Sequence, residues 1–159
     1  MRAMRRSLAP VALLFAVALS AAEPAVPEKV DTPYLMHGSQ LVEVETNVAL
    51  DESTEKEGRY AVEGATSSVR TPFAGPQLAF RPDKIDPRDL QLYRFESTGS
   101  RREIFLRKKK KILVEPYRMS VLETEQDGVV QLRVNDGLPD GEYCITPEGS
   151  NAVFCFTVY

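Results

Sequence analysis

Cys144 and Cys155 are the chain's two cysteines, His37 is its one histidine, and its densest charge lies at Arg101-Arg102 and Arg107-Lys108-Lys109-Lys110-Lys111. If the last hairpin turns at Gly149-Ser150, Glu148 stands opposite Asn151 and, stepping outward, Cys144 stands opposite Cys155. Opposed residues in antiparallel strands have Cα atoms about 4.5 or 5.5 Å apart, and a disulfide can span either. A two-residue turn there leaves Pro147 at a pair that exchanges no backbone hydrogen bonds and puts the cysteines at the wider, hydrogen-bonded spacing. In an oxidising compartment the pair is expected to staple a short loop, contributing about 2 to 3 kcal/mol. A redox pair and two reduced thiols are the alternatives, although no Cys-x-x-Cys spacing or helix start is present to lower a thiol pKa. The opposite face of this hairpin, with Tyr143, Ile145, Phe154, Phe156 and Val158, reads as core.

The remaining chemistry is sparse. A nucleophilic triad would have to use His37, which sits in Leu35-Met36-His37-Gly38, and the chain has no Gly-x-Ser-x-Gly motif. One His and two Cys are too few for a His/Cys metal site, and Asp51, Glu52, Glu55 and Glu57 lack the spacing and glycine of a calcium loop. Among 23 acidic residues some pair can always reach the separation that glycoside chemistry needs, so no pair is marked out. The expectation is a protein without catalytic residues, metal or cofactor.

The lysine run follows Ile104-Phe105-Leu106 and precedes Ile112-Leu113-Val114, the pattern of a hairpin tip on apolar stems. As a finger, Arg107 to Lys111 would meet anionic lipid or an acidic glycan, each Lys near a membrane surface contributing about 1 kcal/mol. Otherwise it is a solvated tip, or a guard that keeps a sheet edge from pairing with another chain. Gly64 to Arg70, with Pro72, Gly75 and Pro76 beyond, reads as a crossing between sheets or as a binding loop.

These residues must be carried by strands. Short runs of strand formers broken by turn residues fill the chain from Gln40 onward, and no window holds an apolar stripe at helical spacing. Expected strands are 41–45, 59–64, 77–81, 90–95, 103–107, 112–115, 119–124, 129–134, 142–146 and 152–159. Val42 and Val44 alternate with Glu43 and Glu45, and Val130, Leu132 and Val134 with Gln131 and Arg133, so one face is buried and the other solvated. The fold class expected is all-β, a single antiparallel immunoglobulin-like β-sandwich over 39–159.

Two segments precede it. Residues 1–22 carry Arg2, Arg5 and Arg6, an apolar stretch from Leu8 to Leu19, then Ser20, Ala21 and Ala22, the order of a cleaved secretory signal peptide. The apolar stretch falls short of the about 20 residues a membrane span requires, so the mature chain is expected to have no transmembrane segment. Residues 23–38, with Pro24, Pro27 and Pro33, read as a mobile extended leader. Cleavage after Ala22 removes three of 20 basic residues and none of 23 acidic ones, leaving 17 against 23, a charge of -6. That balance argues against nucleic acid, which is bound through many Lys and Arg contacts.

Leu138-Pro139-Asp140-Gly141-Glu142-Tyr143 resembles the approach to the penultimate strand in fibronectin type III and other immunoglobulin-like domains. The resemblance implies that Leu138, Gly141 and Tyr143 form a structural corner in which the tyrosine hydroxyl returns to backbone a few residues upstream. Gly64-Ala65-Thr66-Ser67-Ser68-Val69-Arg70, the strand after it and this ending together resemble small exported bacterial proteins of uncharacterised role. The expectation is a periplasmic or extracellular interaction module that meets an envelope protein through a sheet edge or loops, or anionic lipid or glycan through the finger.

Overall fold

A computed structural model describes residues 24–159; the segment read as a signal peptide, 1–22, lies outside the described residues. The strands are β1 (Tyr34–His37), β2 (Gln40–Glu43), β3 (Glu45–Val48), β4 (Leu50–Asp51), β5 (Glu57–Glu63), β6 (Arg70–Thr71) and β7 (Gln77–Phe80). After them come β8 (Leu90–Ser97), β9 (Arg101–Lys108), β10 (Lys111–Ile112), β11 (Met119–Glu123), β12 (Val130–Val134), β13 (Gly141–Pro147) and β14 (Ala152–Val158). One short 3-10 turn, Pro87–Asp89, precedes β8. The fold is all-β, and among the described residues every strand pairing is antiparallel except β6 on β14.

One sheet has the order β11-β12-β7-β1-β2 and the other β3-β14-β13-β8-β9-β5-β4. The second closes on itself. β3 and β4 are successive parts of one run of chain broken only at Ala49, with β3 lying on β14 and β4 on β5. Between β8 and β9 the closure is a wedge: they pair only at Glu96–Glu103 and Ser97–Arg102 before parting. The run after β10 fills the gap, with Leu113 N–H on Leu106 C=O (2.9 Å) and Tyr117 N–H on Leu92 C=O (2.8 Å). The molecule is a sandwich whose second layer is curled into a small barrel.

Period-two alternation gives β8, β13 and β14 two working faces. Leu90, Leu92, Tyr143, Ile145, Phe154, Phe156 and Val158 meet Leu35, Leu78, Phe80 and Leu132 of the first sheet in the main core. Phe95, Cys144, Val153 and Cys155 point the other way, into the barrel, against Val62 and Ile104.

The folded part begins earlier than its sequence suggests. Tyr34 to His37, read as the end of the leader, is β1, paired with β2 and, through Tyr34 and Leu35, with β7. Four residues are too few to display a period, yet Tyr34 and Leu35 are buried. Upstream, the Asp31 carboxylate accepts N–H bonds from Asp83, Lys84 and Ile85 at 2.8 to 3.1 Å. The expected strand 41–45 is likewise two elements, because the chain passes from one sheet to the other at buried Val44.

Tyr143 Oη donates to Pro139 C=O at 2.7 Å, and Leu138 is buried beside it with its N–H on Ala74 C=O (2.7 Å). Gly141 leaves room for Arg94, whose Nε lies 2.9 Å from where a Cβ would stand. Burial, with Tyr117 close by, pushes the Tyr143 phenol up to about 12. The native state therefore holds this proton while the unfolded chain releases it near pH 10, so stability falls as pH rises through that interval. Tyr143→Phe is expected to cost about 1 to 2 kcal/mol in urea unfolding at pH 7 and to lose less stability than the parent between pH 10 and 12. An unchanged midpoint would show that the corner hydroxyl contributes nothing.

Candidate functional site

The two cysteines form a disulfide with Cα atoms 4.1 Å apart, in the register Cys144↔Cys155. The spacing is the narrow one, not the wide one expected. Ala49 N–H donates to Asn151 C=O and Thr157 N–H to Val69 C=O, so the odd residues of this stretch of β14 aim their backbone groups away from β13. The phase differs because the turn starts at Pro147, whose C=O takes Ser150 N–H at 3.1 Å, with Gly149 at φ 73°. Pro147 consequently stands at a position that should donate, contrary to expectation. The Thr146 hydroxyl takes its place, donating to Ala152 C=O at 2.9 Å.

At the opposite end of the barrel from this turn, Arg102, part of the charge cluster at Arg101-Arg102, is buried. Its Nε donates to Gly64 C=O (2.9 Å) and its Nη2 to Glu63 C=O (2.9 Å) and Glu45 Oε1 (2.7 Å). Nη1 faces Glu142 Oε2 at 3.8 Å. Glu142 accepts from Ser67 N–H (2.8 Å) and from the Thr157 hydroxyl (2.8 and 3.0 Å), and Glu45 from Ser68 N–H (2.9 Å). Burial raises the Glu45 carboxyl, but bonds from Arg102, Ser67 and Ser68 outweigh it and hold the group below its usual range. Strand alternation carried a signal for this plug, since Arg102 shares its face with Ile104 and Leu106.

The lysine run forms the tip it suggested. β9 runs to Lys108, Lys109-Lys110 turn with Lys109 at φ 53°, and Lys111 pairs back on Lys108. Arg107 and the four lysines are exposed, and Lys109 N–H bonds Lys56 C=O. The strand expected over 112–115 shortens to Lys111–Ile112, leaving Ile112 65%, Leu113 44% and Phe105 41% exposed. The finger is therefore apolar at its base as well as basic at its tip.

The other candidates disperse. His37 Nε2 lies 3.2 Å from the Thr71 hydroxyl and its ring meets Phe73 edge-on. Glu52, one of the acidic residues between 51 and 57, binds Arg101 Nη1 and Nη2 at 2.8 and 3.1 Å. Among the described residues no three His, Cys, Asp or Glu side chains gather as metal ligands, and no helix is long and apolar enough to cross a membrane.

Sequence reasoning also did not locate the open edge of the first sheet. β11 pairs β12 without a bulge from Met119↔Val134 to Glu123↔Val130. Asn135 N–H donates to Arg118 C=O (2.9 Å), so the pairs that exchange bonds continue at Ser120 and Leu122. Met119 and Val121 accordingly aim their N–H and C=O outward.

Removing one partner of a buried ion pair leaves charge uncompensated, so Arg102→Ala is expected to lower stability by about 3 to 5 kcal/mol at pH 7. Glu45, depressed in the native state, contributes stability above about pH 4.3 that is lost as pH falls through its native value. Without Arg102 the largest part of that contribution is lost, so the penalty seen in urea melts shrinks as pH falls below about 4.3; a penalty independent of pH would contradict the account. No family model, curated protein or solved structure matches this chain.

Proposed function

We propose that this chain is a non-catalytic, exported interaction or accessory module of the cell envelope that takes a protein partner by strand addition at β11. One observation carries the reading: Met119 to Glu123 is an edge with outward backbone groups and no lysine, proline or bulge to block pairing. Natural sheets ordinarily protect such edges, and strand addition uses them, backbone bonds giving affinity and alternate side-chain pockets giving selectivity. β2, the other edge of that sheet, is shorter, and its Glu43 is occupied by Lys29 at 2.7 Å.

Export to the periplasm or beyond is supported by the order of residues 1–22 and by the disulfide. The Tyr143 corner supports placing the sandwich among immunoglobulin-like domains, with the curled second sheet as its departure from them. A chain of charge -6 after cleavage is no natural ligand of nucleic acid.

A second reading has its own observation. Ile112, Leu113 and Phe105 are exposed at the base of the Arg107 to Lys111 finger, a basic and apolar combination suited to anionic lipid or glycan.

In-cell cross-linking of the mature tagged protein, read by mass spectrometry, separates the two. Leu122→Lys, on the solvent side of β11, is expected to abolish capture of a dominant protein partner, while Ser at Lys108 to Lys111 leaves capture intact. Loss of capture only with the serine variant, or its loss in salt-sensitive co-sedimentation with anionic vesicles, would transfer the function to the finger.

A further inference from the structure

The barrel is plugged by Arg102 at one end and open at the other. At the open end lies a cavity of about 300 Å³, at the lower bound for small-molecule sites, lined in part by Phe95, Ile104 and Val153, which cluster with the disulfide. Its Tyr93, Phe95, Ile104 and Leu106 side chains belong to the stretch where β8 and β9 have parted beyond Glu96 and Glu103. Tyr60, Tyr93, Phe95 and Leu106 form its apolar wall.

The mouth has a definite charge. Asp51 stands opposite Tyr60 in the β4–β5 register and so shares its inward face. Glu148, at the tip of the β13–β14 hairpin, lines the same opening, and no Lys or Arg among the described residues does so. Burial, then the nearby Glu115 and Glu148 carboxylates, push the Tyr93 phenol up, the response expected of a site with negative potential. Its hydroxyl is held by Gln91 Oε1 at 2.9 Å.

We infer that this cavity is a binding site for a small organic cation, an ammonium carried on an aromatic or short aliphatic body. Aromatic faces attract a cation through their quadrupole, more strongly where water is excluded, and the apolar body replaces water from the wall. Asp51 and Glu148 at the mouth supply the counter-charge. A neutral ligand of the same shape gains only the second of these contributions, and an anion is repelled. The site is independent of the β11 edge, which lies on the other sheet.

The test is a titration of the mature protein, followed by NMR shifts of the Tyr93 and Phe95 backbone amides, with 2-phenylethylammonium, 2-phenylethanol and phenylacetate. The expected order is ammonium, then alcohol, with no binding of the carboxylate, and a gap of about tenfold or more between the first two. Asp51→Asn combined with Glu148→Gln, both at the mouth and outside the packed core, is expected to close that gap while leaving alcohol binding unchanged. Equal affinity for ammonium and alcohol, unchanged preference in the double variant, or no shift with any of the three compounds would overturn the proposal.

Discussion

A single buried arginine decides the shape of this molecule. Arg102 draws together the carbonyls that end β5, the Glu45 carboxylate that begins β3 and, at 3.8 Å, the Glu142 carboxylate of β13. Those groups belong to strands on opposite sides of the curled sheet, and a charge taken out of water tolerates such a position only where acceptors surround it. Once they are gathered, the run from Glu45 to Asp51 can lie on β14 with its first half and on β5 with its second. The sheet then has no free end. Unpaired backbone is left to the other sheet, and there the unprotected edge is β11.

The same closure divides the labour of β8, β13 and β14. One face of these strands builds the main core around Tyr143 and Phe156, which stack at 6.0 Å, while the other carries the disulfide into the barrel. Cys144 and Cys155 are themselves fully buried, so the bridge is part of the barrel's packing as well as a covalent tie. The cavity at the open end is lined from β4, β5, β8, β9 and the β13–β14 hairpin, with Phe95, Ile104 and Val153 in the same cluster as the disulfide. A preformed space of that kind does not have to be ordered when a ligand enters.

Much of this was legible in the residues. Clean alternation located the longer strands, the arithmetic of the last hairpin paired the cysteines, and Leu138 to Tyr143 marked the corner. What escaped depended on partners distant in sequence. β1, β4 and β6 are too short to show a period, and they exist because neighbours already ordered offer them bonds. The phase of the cysteine pair turned on one residue, Pro147, whose carbonyl closes the turn and whose missing N–H is replaced by the Thr146 hydroxyl. In the sequence Arg102 stands only as part of a charge cluster with Arg101, because adjacent residues on a strand look alike in composition while facing opposite sides. The edge at β11 was legible as a strand, but its being an edge follows from sheet order, which no local pattern encodes.

The central claim is that closing one sheet leaves β11 of the other open to a partner. Residue-resolved hydrogen exchange of the free mature protein tests it most directly, because ladder bonds alternate along an edge strand. The account predicts slow exchange at Ser120 and Leu122, whose amides face β12, and fast exchange at Met119 and Val121, whose amides face outward. Equal protection at all four amides would contradict it, since the edge would then already be covered by the protein itself.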